Sequence, residues 1–222
     1  MDEPSLPTRK GERTALRILD AAEALFAEKG FAGTTLRDVA TRVGIQTPSL
    51  YNHFPGKESL YGAVLERSLS PVLQLLAEFA GQQHSSGAPA TPSDDPRVLI
   101  ERVMKFMADS PNLPRLILHE TLAGGERLSP ELRAWIGPIF EKANQLAEET
   151  GADIGISREQ IPLLVLALYN IVVGYFAIAP LYQQLNGKDL MSETLRLQQV
   201  QIVANLAQTL FPRTSPSTPP TP

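Results

Sequence analysis

Residues 47–57, Thr-Pro-Ser-Leu-Tyr-Asn-His-Phe-Pro-Gly-Lys, set polar and cationic side chains around two large apolar anchors. Leu50 and Phe54 stand four apart, so a helix from Thr47 to Phe54 would turn them toward one side. At about 100° per residue, Asn52 then points directly away, with Pro48 and Ser49 beside it and Tyr51 and His53 on opposite flanks. Those types suit a groove of duplex DNA. Asn pairs with adenine N6 and N7, Ser donates or accepts, and an apolar Pro can meet a thymine methyl. Thr47 belongs to the same polar surface, and Tyr51 and His53 suit the phosphate walls. Lys57 adds a cation at the start of the next helix, where free amides already favour anions.

A helix of about eight residues is marginal in water, so its neighbours must hold it. From Thr14 the apolar positions Ile18, Leu19, Ala22, Leu25 and Phe26 recur at three and four, which predicts an amphipathic helix stopped by Gly30. Thr34 or Thr35 can cap a second helix, and Thr35 with Asp38 has capping-box spacing. Leu36, Val39, Ala40 and Val43 give it a buried face, and Gly44 ends it. Helix, glycine turn and short helix form the helix-turn-helix arrangement, whose second member enters the major groove. Thr35 and Arg37, at the start of the second helix, join the candidate DNA contacts, although Arg37 taken alone reads equally well as a solvated residue.

The stretch TTLRDVATRVGIQTPSLYNHFPGKESLYGAVLE strongly resembles the N-terminal module of the tetracycline-repressor (TetR) family. Gly30, Thr35, Val39-Ala40, Gly44, Leu50-Tyr51, His53-Phe54, Lys57 and Leu60 carry the likeness, over roughly residues 13–67. Gln46, Pro48 and Gly56 depart from residues frequent there and bear on which operator is read. The resemblance implies an all-α homodimeric transcription factor, usually a repressor, released from DNA by a small-molecule inducer in its C-terminal domain.

The rest of the chain fits such a plan. Its 222 residues leave room for two domains. The net charge of −4 hides a split: residues 9–67 carry nine Lys/Arg against seven Asp/Glu, and residues from 68 onward eleven against fifteen. The expected division is a flexible arm 1–12, a DNA-binding domain 13–70, a helical ligand-binding and dimerisation domain 71–211, and a disordered tail 212–222. A fourth helix starts near Lys57 and continues past Pro71 toward Phe79. A Gly/Ser/Pro loop covers 81–96, and further helices are predicted at 98–109, 113–122, 131–149, 158–185 and 192–211. Met104, Phe106, His119, Trp135, Tyr169 and Asn170 lie within or beside apolar patterns; each alone reads as core, and together they suit an apolar pocket with a few polar groups.

Ile161 to Tyr182 is 22 residues without a charge, nearly the length that crosses a bilayer. Asn170 near its middle, prolines near both ends and no cationic flank favour burial, here between the last two long helices of two subunits, over a membrane span. The absence of cysteine excludes disulfides and a thiol nucleophile and suits a reducing cytoplasm. The three histidines, His53, His84 and His119, form no metal-binding pair, and no phosphate loop or nucleophile elbow is present, so neither enzyme, cofactor nor metal is expected. The competing reading is a helical ligand-binding or scaffold protein that keeps the N-terminal fold without specific operator binding.

Overall fold

The computed structural model describes residues 9–82, 96–128 and 158–210, with positions 130, 133, 137 and 141 between them. The protein is all-α. Its described helices are α1 (Arg9–Gly33), α2 (Leu36–Val43), α3 (Thr47–Tyr51), α4 (Lys57–Gln82), α5 (Pro96–Asp109), α6 (Leu113–Leu122), α7 (Ile161–Asn186) and α8 (Glu193–Leu210), with a 3₁₀ turn Arg158–Gln160 before α7. Residues 1–8, 83–95 and 211–222, covering most of the expected arm, loop and tail, lie outside the described residues, as does most of the expected helix 131–149. The chain divides into two compact units, one of residues 1–71 with 110–133, the other of 72–109 with 134–222.

In the first unit, α1 begins at Arg9, earlier than an arm ending at residue 12 would allow. Gly30 interrupts the regular helix where the sequence places its stop, and a second short helical stretch follows it within the same element. The Gly30 φ of 70° with ψ of 177° lies in a region that essentially only glycine occupies, and helical structure resumes to Gly33. The buried Thr34 hydroxyl, 2.9 Å from the Gly30 carbonyl and 3.1 Å from that of Leu25, satisfies the interrupted end.

Ile18, Phe26, Val39, Leu50, Leu60 and Val64 are fully buried in the core of this unit. Phe26, Phe31 and Tyr61 form its aromatic cluster, with Phe26 and Tyr61 edge-on at 4.8 Å. Ionic contacts add to that packing. Arg67 of α4 donates to Asp20 at 2.7 Å and to Glu23 at 2.6 Å, and Glu23 also accepts from Ser68 at 3.3 Å and from Asn112 at 3.2 Å. Glu23 therefore ties α1 to α4 and to the residue that begins α6.

Sequence distance concealed this placement of α6. Leu113 and Leu116 are buried, and Glu120, only 4% exposed, accepts from the Tyr61 hydroxyl at 3.1 Å and from the Arg127 amide at 2.8 Å. The helix ends in a Schellman motif at Gly124 (φ 71°), in which the Gly125 amide reaches the Glu120 carbonyl at 2.9 Å.

In the second unit, α5 packs against α7 and α8. Met104, Met107, Phe176, Ala179, Val203 and Ala204 are buried in it. Tyr175 hydrogen-bonds the Leu190 carbonyl and ties α7 to the turn before α8. Pro180 sits inside α7 and Pro71 inside α4, and both helices continue through them. Among the described residues no helix is long and apolar enough to cross a membrane.

Candidate nucleic-acid interface

The turn that presents α3 is fixed from several sides. Thr35 accepts from the Asp38 amide at 3.1 Å, while its own amide donates to the Asp38 carboxylate at 3.0 Å, which completes the capping box at the start of α2. The Thr35 hydroxyl also donates to Asp38 at 2.7 Å, and these bonds hold the Asp38 carboxyl below the usual carboxylate range. At the other end, Gly44 (φ 76°) and Ile45 donate to the carbonyls of Thr41 and Ala40 in a second Schellman motif. Arg17 of α1 donates to the Val43 carbonyl at 2.6 Å, covering a group that no helical amide can reach.

The helix α3 is shorter than its sequence pattern suggests. Regular helix covers five residues, Thr47–Tyr51, and Asn52 and His53 fall in the turn that follows. The direction is kept for one more residue, because Asn52 retains right-handed helical angles (φ −68°, ψ −17°) and the amides of His53 and Phe54 both donate to the Leu50 carbonyl. Pro55 limits the helix at its end, because the residue before a proline is pushed out of the right-handed helical region and Phe54 cannot extend it, whereas Pro48 in the first turn costs no intrahelical bond. Leu50 is fully buried and Phe54 partly so. Pro48, Ser49, Tyr51 and Asn52 are exposed, Tyr51 by 52%, while Thr47 and His53 are partly covered. Thr35 and Arg37 are exposed at the head of α2. The result is a polar surface without a polar interior, held by one deeply buried leucine.

Lys57 opens α4, and its ammonium lies 4.3 Å from the centre of the Phe31 ring. Arg127, from the turn after α6, places its guanidinium 4.5 Å from the same ring. Sequence reasoning missed Phe31, Arg17, Glu120 and Arg127. Phe31 and Arg17 stood in the sequence as an apolar and a charged residue of α1, with nothing in spacing to mark a partner. Glu120 and Arg127 are brought here only by the tertiary placement of α6.

The candidate ligand residues are distributed differently. His119 belongs to the first unit, where its ring packs on Gly30: a β-carbon there would lie 3.3 Å from Nδ1 and Cε1. This corrects its expected grouping with the others, because α6 turns that side chain onto α1. Met104 is buried and Phe106 and Tyr169 are partly buried in the second unit. Asn170 is exposed and donates back to the Leu166 carbonyl at 2.8 Å. Trp135 lies outside the described residues. Among the described residues no three His, Asp or Glu side chains are grouped as a metal would require.

Residues 18–64 match the family described as bacterial regulatory proteins, tetR family. Over 80 residues the chain is 49% identical to the HTH-type transcriptional repressor KstR2 of Rhodococcus jostii, a match spanning 36% of this chain and 38% of that repressor. It is 27% identical to the HTH-type transcriptional regulator RutR of Escherichia coli K12 over 85% of this chain and 86% of that one. Solved structures repeat the fold. A transcriptional regulator from Aquifex aeolicus covers 89% of this chain and 99% of its own at 18% identity, with a TM-score of 0.54. A SmeT–triclosan complex covers 95% and 98% at 22% identity, with a TM-score of 0.58.

Proposed function

We propose that this chain is a transcriptional regulator of the tetR type rather than an enzyme, and that it represses transcription by binding a pseudo-palindromic operator as a homodimer. The observation that carries this reading is α3: Leu50 is buried, while Pro48, Ser49, Tyr51 and Asn52 are exposed together, next in the chain to α2, which is capped at both ends. Ser49, Asn52 and Pro48 read base edges. Thr35, Arg37, Thr47, Tyr51, His53 and Lys57 contact the backbone and set the register.

The dimer is formed by α7 and α8. On α7, Leu163, Leu166, Asn170, Gly174, Ile178, Leu181 and Leu185 are all exposed at spacings of three and four, which makes one mostly apolar stripe. Leu197, Ile202 and Leu206 are exposed on α8. A self-complementary two-fold interface covers such a surface without a membrane.

Release follows from a mostly apolar effector held in the second unit near Met104, Phe106 and Tyr169, with Asn170 as the polar candidate. The SmeT neighbour was solved with triclosan, so this fold can hold a small molecule. The boundary between the two compact units falls within α4, directly after Pro71. Pro71 leaves one backbone hydrogen bond unmade and favours a bend there. Two recognition helices must stay about 34–36 Å apart to enter successive turns of DNA, so a small tilt of α4 is enough to spoil docking.

Selection of bound DNA from a random pool tests the reading. It should return a two-fold site, and Asn52→Ala should change the base preference at one position per half-site. Recovery of only nonspecific, salt-sensitive binding would favour the scaffold alternative. Operator DNA should weaken binding of any effector by the same factor that the effector weakens operator binding.

A further inference from the structure

Two cations share one aromatic ring in the first unit. The Lys57 ammonium and the Arg127 guanidinium lie 4.3 and 4.5 Å from the centre of Phe31, although 70 residues separate them in the chain. We infer that Arg127 is a second phosphate-binding cation of the DNA interface, acting beside Lys57 from the turn that follows α6. The inference rests on Lys57 as a backbone contact and extends the footprint beyond residues 18–64, where the family match ends.

The two charges can be no further apart than about 9 Å, which is comparable to the Debye length of 8–10 Å at 0.1–0.15 M salt. They therefore repel in the free protein, and an anion that meets both relieves that repulsion. Consecutive phosphates of one strand, separated by 3.4 Å of rise, provide a negative charge for each cation within that span.

The ring attracts both groups through its quadrupole but neutralises neither. Among the described residues, the ion pairs of this unit use Arg42 and Arg67, and neither Lys57 nor Arg127 joins one. The buried Glu120 carboxylate takes the Arg127 amide, so it fixes where this residue starts without pairing its guanidinium by a hydrogen bond. Arg133 donates to the Gly125 carbonyl at 2.6 Å and the Leu128 carbonyl at 3.1 Å, which holds the same turn. Arg127 is thus pre-positioned, and little side-chain freedom remains to be lost on meeting a phosphate. Its perch is also close in the chain to the other backbone contacts, since Phe31 lies four residues before Thr35.

The test is the salt dependence of operator binding by the full chain, measured between 50 and 200 mM salt for wild type, Lys57→Gln, Arg127→Met and Arg127→Lys. Each lost phosphate contact should reduce the slope of log K against log salt by about 0.9. Arg127→Met keeps aliphatic packing on Phe31 and should lose that increment without changing the preferred sequence; Arg127→Lys should retain it. An unchanged slope for Arg127→Met overturns the inference, whether its affinity is intact or uniformly lowered, because packing alone would then account for the residue. A reduced slope for Lys57→Gln in the same series would leave the Lys57 reading standing, whereas a wild type without operator affinity would fail the DNA reading itself. Thermal melts of each variant confirm that folded proteins are compared.

Discussion

The Tyr61 hydroxyl donates to Oε2 of Glu120 at 3.1 Å, across 59 residues of sequence, with both side chains buried. It joins the second turn of α4, just behind Lys57, to the end of α6. The same carboxylate holds the Arg127 amide, so one buried acid connects the core of the first unit to the turn that carries Arg127. Removing a partner of a buried charge costs more than the bond itself, because the carboxylate is left under-solvated.

Tyr61→Phe keeps the ring in the aromatic cluster and removes only the hydroxyl. At neutral pH it should cost about 1.5–3 kcal/mol, the range for a hydrogen bond to a charged group. Burial first, and then the Glu120 charge, push the Tyr61 hydroxyl well above its ordinary value of 10.0. A pKa raised on folding means that the native state holds the proton more tightly. Its contribution is fully present below pH 10 and falls as pH rises beyond it, by up to about 1.4 kcal/mol per unit. Urea melts from pH 8 to pH 11 should therefore show the advantage of wild type over Tyr61→Phe shrinking above pH 10. A difference that stays constant to pH 11 would refute this account.

Gly30→Ala should be among the more damaging single-methyl changes in the unit. Its backbone angles belong to glycine, a cost on the order of 1–3 kcal/mol, and the new methyl would lie 3.3 Å from the His119 ring. Adding His119→Ala opens the space but leaves the backbone strained, so the double variant should recover only part of the lost stability. Full recovery in thermal melts would show that the contact, rather than the conformation, demands glycine.

Ile202→Glu on α8 and Leu181→Glu on α7 should each yield a monomer in sedimentation at concentrations where wild type is a dimer. Ile202 is 61% exposed and Leu181 49% exposed within the chain, so neither change disturbs the core. A dimer that survives both substitutions would place the interface elsewhere on the molecule.

Much of this protein is local, and local features are legible in sequence. The capping box of Thr35 and Asp38 and the glycine stop at Gly44 were visible as spacing, because each involves residues within a few positions of one another. The family signature likewise lies within one continuous stretch. The extents of α5, α6 and α8 followed apolar period and breakers to within a few residues. Less was legible where two local rules competed. The pattern from Thr47 to Phe54 fitted a helix, but a proline at residue 55 and one buried leucine sustain only five residues of it.

Tertiary structure alone decided which helix stands against which. Periodicity shows that α6 has a buried face, but it carries no information about the surface that covers it. The structure seats α6 in the first unit, with His119 on Gly30 and Glu120 on Tyr61. The same holds for Phe31: as a sequence it is one apolar residue after a glycine, and only the fold gathers Lys57 and Arg127 over its ring. Hydrogen bonds and ring contacts act over a few ångströms, whereas these partners lie 26 to 96 residues apart, and chain spacing determines contacts only within the reach of a helical turn.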